Sequence, residues 1–491
     1  MANSTTVTAT EGVWTLAAAP TGTSEVVLVN HSTTTDVLVR VARSAPADGI
    51  LSDIMFPRSS RAFTLVSGER VYVQGLRDSG RVDVLIRQSP MSAATSTVGV
   101  PGRGTVAFAR IPVSSPTTLG DYQNQYDASP LYWNTKIAGT ATSTHVAASS
   151  LVTLSTAAAN DSVIRQTKFY HRYQPGKSQL VLVTFDMLAT GTLHLVRRSK
   201  TTGSVVDTAV AQASWSADKL DGTGQSGITI DTTKSQILAI DLEWLGVGVV
   251  RAGFVIDGAI IPAHVFRHAN IGSGVYMTTA NLPVRYEVTN TGGVTYKRVG
   301  YFDGDNGVFL EHRSASATAS MSAICASVIS EGGIEDSRAI PFAVSNGITT
   351  ISVTTRRPFL SMRPKATFNS IVNRGQIIFD SGQAFTTGNN STYVEIVYGG
   401  TLTNASFASV DASSIAEFDV AATAISGGIT IDAFFLPSSA QTRATVTEKI
   451  LARLPISLDI DGANPTVISM VATSFTTAAP LSGVLNWMEI R

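Results

Sequence analysis

The sequence predicts an all-β protein, built of several β-sandwich or jelly-roll-like domains with little helix. Three observations carry that expectation. Short runs of β-branched and aromatic residues recur along the chain, and many alternate with the period of two that marks a half-buried strand. In Arg81-Val82-Asp83-Val84-Leu85-Ile86-Arg87 the charges fall on one face and Val82, Val84 and Ile86 on the other. Glycine, asparagine and proline separate these runs in the way tight turns do. Charged residues make up only 15% of the chain, against roughly 25% in an average soluble domain, which leaves Ser and Thr to cover the outer sheet faces.

At 491 residues with 44% hydrophobic content the chain exceeds one ordinary core. Residues 1–89 read as a small separate domain, with strands expected at Glu25–Val29, Val37–Val41, Arg61–Val66, Arg70–Gln74 and Arg81–Ile86. Its basic residues are arginines: Arg40, Arg43, Arg58, Arg61, Arg70, Arg77, Arg81 and Arg87 form either a solvated sheet face or a docking face between subunits. Residues 90–118 turn to Ser, Ala, Thr, Gly and Pro and read as a linker. A central β domain over 119–340 and a C-terminal one over 341–491 complete the expected organisation.

The centre of the chain is the stretch from Lys219 to Asn290, a dense block of apolar runs. Ile237-Leu238-Ala239-Ile240, Val247 to Val250 and Phe254-Val255-Ile256 are expected as buried strands. Farther on, Asn346-Gly347 predicts a two-residue hairpin between Phe342-Ala343-Val344 and Ile348–Val353, and Ser426-Gly427-Gly428 predicts similar work before Ile429. Tyr393–Tyr398 and Ile456–Ile460 alternate as strands, and only the patch from Ala440 to Leu454 is compatible with helix. There is no fixed-period repeat and no heptad stalk.

Composition narrows the function classes. Lys plus Arg equals Asp plus Glu at 36 each, so no broad attraction to nucleic acid is encoded. A neutral surface lacks colloidal repulsion, a state suited to a protein held in an assembly. The single cysteine, Cys325, excludes an intrachain disulfide and sits among apolar neighbours as a buried thiol. Met1-Ala2-Asn3-Ser4-Thr5-Thr6 has no basic or apolar signal region, and no apolar run reaches the roughly 20 residues of a membrane helix. Synthesis in a cytoplasm without membrane insertion is the expectation.

Several motifs approach known chemistry and fall short. Tyr173-Gln174-Pro175-Gly176-Lys177-Ser178 lacks the first glycine of a phosphate loop, since His171 stands there, and reads as a turn feeding Leu180–Phe185. Gly222-Thr223-Gly224-Gln225-Ser226-Gly227 has dinucleotide-site spacing but is followed by β-branched residues rather than a helix. Asp241 and Glu243 share a strand face and are the candidate pair for glycoside cleavage, with salt bridges to Arg251 and Arg285 as the structural alternative. His264 and His268 would share a helix face as metal ligands, but their flanks read as strand. Asp303-Gly304-Asp305-Asn306-Gly307 departs from a calcium loop at Val308 and Ser314 and is expected as a hairpin turn. No catalytic, cofactor-binding or metal-ligating residue is therefore assigned.

Six blocks nevertheless occur in order: Tyr173–Ser178, Lys219-Leu220-Asp221-Gly222-Thr223-Gly224, Glu243-Trp244-Leu245-Gly246-Val247-Gly248, Asn281-Leu282-Pro283-Val284-Arg285-Tyr286-Glu287, Ser330-Glu331-Gly332-Gly333 and Trp487-Met488-Glu489-Ile490-Arg491. Together they resemble a family of tailed-bacteriophage virion proteins over residues 120 to 491. The resemblance implies a non-enzymatic structural subunit of the particle, of head-fibre, decoration, collar or tail-appendage type. It implies a homo-oligomer, with a trimer favoured, whose N-terminal domain docks on other proteins of the head or tail. The alternative expectation is a receptor-binding tail protein that cleaves a host surface glycan, resting on Asp241, Glu243 and the aromatics Tyr122, Tyr126 and Trp133.

Overall fold

In a computed structural model, the structure describes residues 3–9, 13–18, 24–30, 36–42, 53–55, 60–65, 70–75, 80–87, 115–315, 318–335, 338–438, 443–445 and 454–491. The protein is all-β, with only two single-turn 3-10 segments, Ala147–Ser149 and Gln212–Ser214, among the described residues. The chain divides into two compact units, Met1–Pro101 and Gly102–Arg491.

The first unit holds two four-stranded sheets. One runs in the order Asn3–Ala9, Gly80–Arg87, Ser24–Asn30, Ser60–Leu65, and the other Thr15–Ala18, Arg70–Gly75, Val37–Ala42, Asp53–Met55. Leu28 from the first sheet and Val37, Val39, Val71 and Val73 from the second share one buried cluster. All five expected strands are present. Three more, Asn3–Ala9, Thr15–Ala18 and Asp53–Met55, complete the sheets. Of the eight arginines noted above, Arg40 is half-buried and Arg70 exposed, Arg61, Arg81 and Arg87 stand on described strands, and Arg43, Arg58 and Arg77 lie outside the described residues. The stretch read as a linker also lies outside them up to residue 114, and at its end Thr117–Tyr122 is strand.

In the second unit a seven-stranded sheet faces an eight-stranded one. The strand Val284–Asn290 is central to the first, pairing with Ser162–Thr167 and Thr295–Phe302. Gln179–Asp186 is central to the second, between Ala319–Ser330 and Gln236–Leu242. Alternation decides what each sheet buries: Val181, Val183 and Phe185 point inward from Gln179–Asp186, and Val284, Tyr286 and Val288 meet them from the opposite sheet. The stretch Lys219–Asn290 thus supplies strands to both layers. Its run Val247–Val250 is a correction, because Trp244 to Gly248 form a turn, with Gly248 N–H donating to Trp244 O at 2.6 Å, and the strand begins only at Val250. Gly246, at φ +78°, turns the chain there.

The same unit contains a second sandwich, in which Gln376–Thr386 and Ala479–Ile490 face Arg357–Pro364, Thr392–Tyr398 and Ile468–Ser474 around Trp487, Phe379 and Phe359. Neither expected glycine hairpin forms here. Ile340–Ser345 and Ile351–Val353 both pair with Ala479–Ile490, so they are successive pieces of one edge. Asn346 spans the break, donating to Leu481 O at 3.1 Å and accepting from Gly483 N at 2.7 Å, which replaces the lost ladder. Ala424–Ser426 pairs with Thr401–Thr403, and Ile429–Leu436 with Thr392–Tyr398, so Gly427-Gly428 is a corner between two ribbons. A Cβ on Gly428 would lie 2.8 Å from Gly400 N, so the ribbons can approach this closely only with glycine at 428. In the helix-compatible patch, Arg443–Thr445 is strand and residues 446–453 lie outside the described residues.

The outer face of the seven-stranded sheet carries an unusual layer of charge. Glu287, Arg298 and Glu311 are direct cross-strand neighbours, joined by contacts of 2.7 Å, and Arg285 and Arg313 close the two ends. Arg285 and Arg298 also lie over the rings of Phe302 and Phe309, which are fully buried. At the rim, Gly307 closes the hairpin after Asp303, whose Oδ1 accepts from Asp305 N and Asn306 N at 2.8 Å. A Cβ on Gly307 would meet Phe302 Cα at 2.3 Å, so Gly307→Ala is expected to cost about 1–3 kcal/mol in urea unfolding. A loss within experimental error would contradict the close packing of this turn.

Candidate functional site

The candidate carboxylates are brought together, but on one cation. Asp241 Oδ2 accepts from Arg251 at 2.8 Å, and Glu243 Oε1 lies 3.8 Å from the same guanidinium group. Asp241 is 0% exposed, so no saccharide can reach it. The pair is an ion-paired strand end rather than two carboxylates flanking an open cleft, the arrangement that glycoside cleavage requires. Arg285 takes no part: it binds Glu287 and Gln166 instead.

The remaining candidates are placed apart or occupied. His264 lies on the strand Ala259–Phe266, where its Nδ1 accepts from Ser216 N at 3.1 Å. His268, beyond that strand, donates from Nδ1 to Gly248 O at 2.6 Å and stacks on Tyr276 with ring centroids 3.6 Å apart. Pro175 and Gly176 turn the chain between Gln174 and Lys177 and feed the strand Gln179–Asp186. In the Gly222–Gly227 stretch, Asp218 accepts from Leu220 N and Ser226 N at 2.8 and 2.6 Å. A Cβ on Gly224 would lie 2.0 Å from Asp218 Oδ1, so that glycine makes room for a turn-closing carboxylate.

Of the three aromatics proposed for glycan contact, two are core residues. Trp133 is buried against Tyr122 and Tyr286, and the Arg165 guanidinium lies 4.5 Å over its ring. Tyr122 is buried with His171. The His171 Nδ1 donates to Leu282 O at 3.1 Å, which leaves Nε2 to accept from the Tyr122 hydroxyl at 2.7 Å. Burial holds the imidazole down to about 4, only partly offset by the Leu282 carbonyl, so the pair is neutral. Tyr126 alone is open, at 88% exposure.

Motif reading missed one feature of the eight-stranded sheet. The strand Ala319–Ser330 has two collinear partners along one side: Leu151–Thr156 pairs as far as Ala323, and Thr117–Tyr122 from Ala326 onward. At the seam between them Asn124 takes over, its Nδ2 donating to Ala323 O at 3.3 Å and Ile324 O at 2.8 Å. The Asn124 Oδ1 accepts from Arg165 at 2.7 Å, and its carbonyl is bound by His145 Nε2 at 2.8 Å. A groove of about 510 Å³ opens over this seam, with Leu182, Thr184 and Cys325 on its floor and Gln123, Gln125 and Ser150 on its walls. Cys325 is thus half-buried rather than enclosed, with Sγ 3.3 Å from Thr184 Oγ1. The signal was present as the alternation Asp121, Gln123, Gln125 outward and Tyr122, Asn124 inward. A second cavity, of about 520 Å³, lies between the two sandwiches of the second unit, lined by Thr118, Tyr132, Phe169, Arg172, Ile334 and Gln376.

No protein-family model and no curated protein matches the chain. Among solved structures, a lectin from Bauhinia forficata in complex with GalNAc aligns at 10% identity and a TM-score of 0.16, over 45% of this chain and 100% of the lectin. A protein described under the triple jelly roll fold and turret assembly of an archaeal virus aligns at 7% identity and 0.17, over 99% and 82%. The CBM22-1–CBM22-2 tandem domain of Paenibacillus barcinonensis Xyn10C aligns at 8% and 0.18, over 76% and 98%. Superpositions this loose transfer no function, and the all-β class rests on the strands of this chain.

Proposed function

We propose that the chain is a non-enzymatic structural subunit of a tailed-phage virion, of head-fibre, decoration, collar or tail-appendage type. The observation that carries this reading is the ordered run of six sequence blocks resembling that virion family. Their positions support it. They fall at the Pro175-Gly176 turn, the Asp218-closed turn, the Trp244–Gly248 turn, the charge layer at Arg285 and Glu287, the Ser330–Gly333 turn, and the closing strand with buried Trp487. These are scaffold positions, which a structural family has reason to keep and a catalytic one does not. The cleavage alternative loses its support where Asp241 and Glu243 are spent on Arg251.

On this reading the protein assembles as a symmetric homo-oligomer, a trimer foremost, and docks through its N-terminal domain on another virion protein. Native mass spectrometry of the full chain at micromolar concentration is expected to give a closed oligomer, with the trimer as the main species. A monomer at every concentration tested would count against the assembly.

A further inference from the structure

We propose that the groove over the Asn124 seam binds a neutral saccharide unit, held by its amide- and hydroxyl-bearing walls over an aliphatic floor. The wall is built by alternation. Tyr122 and Asn124 point inward and are tied to His171, Arg165 and the carbonyls of Ala323 and Ile324, so Asp121, Gln123 and Gln125 are held outward in fixed order. The Ser129 hydroxyl donates to Gln123 O at 2.7 Å and pins the backbone again. The backbone of the wall is thus fixed before binding, and the ordering cost falls on the exposed glutamine side chains.

The chemistry of the lining selects the ligand class. At about 510 Å³ the groove has the size of a small-molecule site. Amide and hydroxyl groups from Gln123, Gln125, Ser149, Ser150 and Ser327 offer both donors and acceptors, matching sugar hydroxyls that do both. Among the described residues Asp121 is the only charged one lining the groove; its carboxylate accepts from hydroxyls and repels anions, which disfavours acidic sugars and phosphates. No described lysine or arginine lines the groove, so nucleic acid is not favoured. The floor of Leu182, Ile237 and Ile324 gives the apolar contact that the C–H faces of a pyranose need.

This inference goes beyond the structural reading and does not depend on it, because a subunit can recognise a surface sugar with or without a place in the particle. The test is saturation-transfer NMR on the full chain with the methyl glycosides of glucose, galactose, mannose, rhamnose and N-acetylglucosamine, and with N-acetylneuraminic acid as the anionic probe. Transfer is expected to at least one neutral glycoside and not to the acid. Gln123→Ala and Gln125→Ala are each expected to weaken binding by about threefold to tenfold. Phe435→Ala, at an exposed ring elsewhere, should leave it unchanged. Silence from every neutral glycoside, transfer only to the acid, or binding indifferent to both groove variants would overturn the proposal. None of those results bears on whether the protein is found in particles, so the two readings fail separately.

Discussion

Replacing Glu287 by alanine is expected to cost the protein about 3–5 kcal/mol in urea unfolding, the loss typical when one partner is taken from a buried ion pair. The residue is 5% exposed and lies between Arg285 and Arg298, with Arg298 passing the connection on to Glu311 and Glu311 to Arg313. Removal leaves two guanidinium groups facing each other over Phe302 and Phe309 with one acid fewer between them. A change below about 1 kcal/mol would show that the layer is a surface ornament.

The same residue sets an acid limit. Burial alone would raise the Glu287 carboxyl, but Arg285 and Arg298 outweigh it and bring the group from 4.5 down to about 2. A folded value below the unfolded one means stability that is complete above pH 4.5 and lost as pH falls towards 2. His171, held by burial at about 4 against an ordinary 6.5, acts with the same sign in an earlier window, because the unfolded chain takes up that proton first. Melting temperature is therefore expected to fall in two stages, from pH 6.5 to 4 and from 4.5 to 2, and Glu287→Gln should flatten the second stage.

The second large effect is expected at Asn124. Its alanine variant loses the bonds to Ala323 O and Ile324 O and withdraws the acceptor from Arg165, a cost of about 2–4 kcal/mol for stranded buried groups. Since the same amide holds the groove wall, saccharide binding should weaken with it. Gln123→Ala separates the two roles: it should weaken binding and leave stability within about 0.5 kcal/mol, because Gln123 is exposed. Equal stability for Asn124→Ala and the parent would remove the seam from the account.

The fold class was legible because alternation and β-branched runs report directly on sheet faces, and every strand expected in the first unit is there. What sequence could not show was pairing between distant segments. Asn346-Gly347 has the composition of a hairpin, yet its side chain serves a strand 137 residues away at Gly483. Val247 and Val249 looked like strand because apolar periodicity cannot see that Gly246 and Gly248 have already turned the chain. The groove was missed for a related reason: Gln123 and Gln125 are unremarkable in a line of text, and become a wall only where two strands end on the same neighbour. Asp241 and Glu243 show the converse, a suggestive spacing that Arg251 neutralises once the adjacent strand is in place.

The proposed place of this chain in a virion is tested by mass spectrometry of density-purified phage particles, with gold-labelled antibody against the N-terminal unit in electron micrographs. Peptides of this chain are expected in a fixed ratio to the major capsid protein, and label at one repeated position on the head, collar or tail. Particles of full infectivity that lack the chain, with the protein left in the soluble lysate, would contradict it.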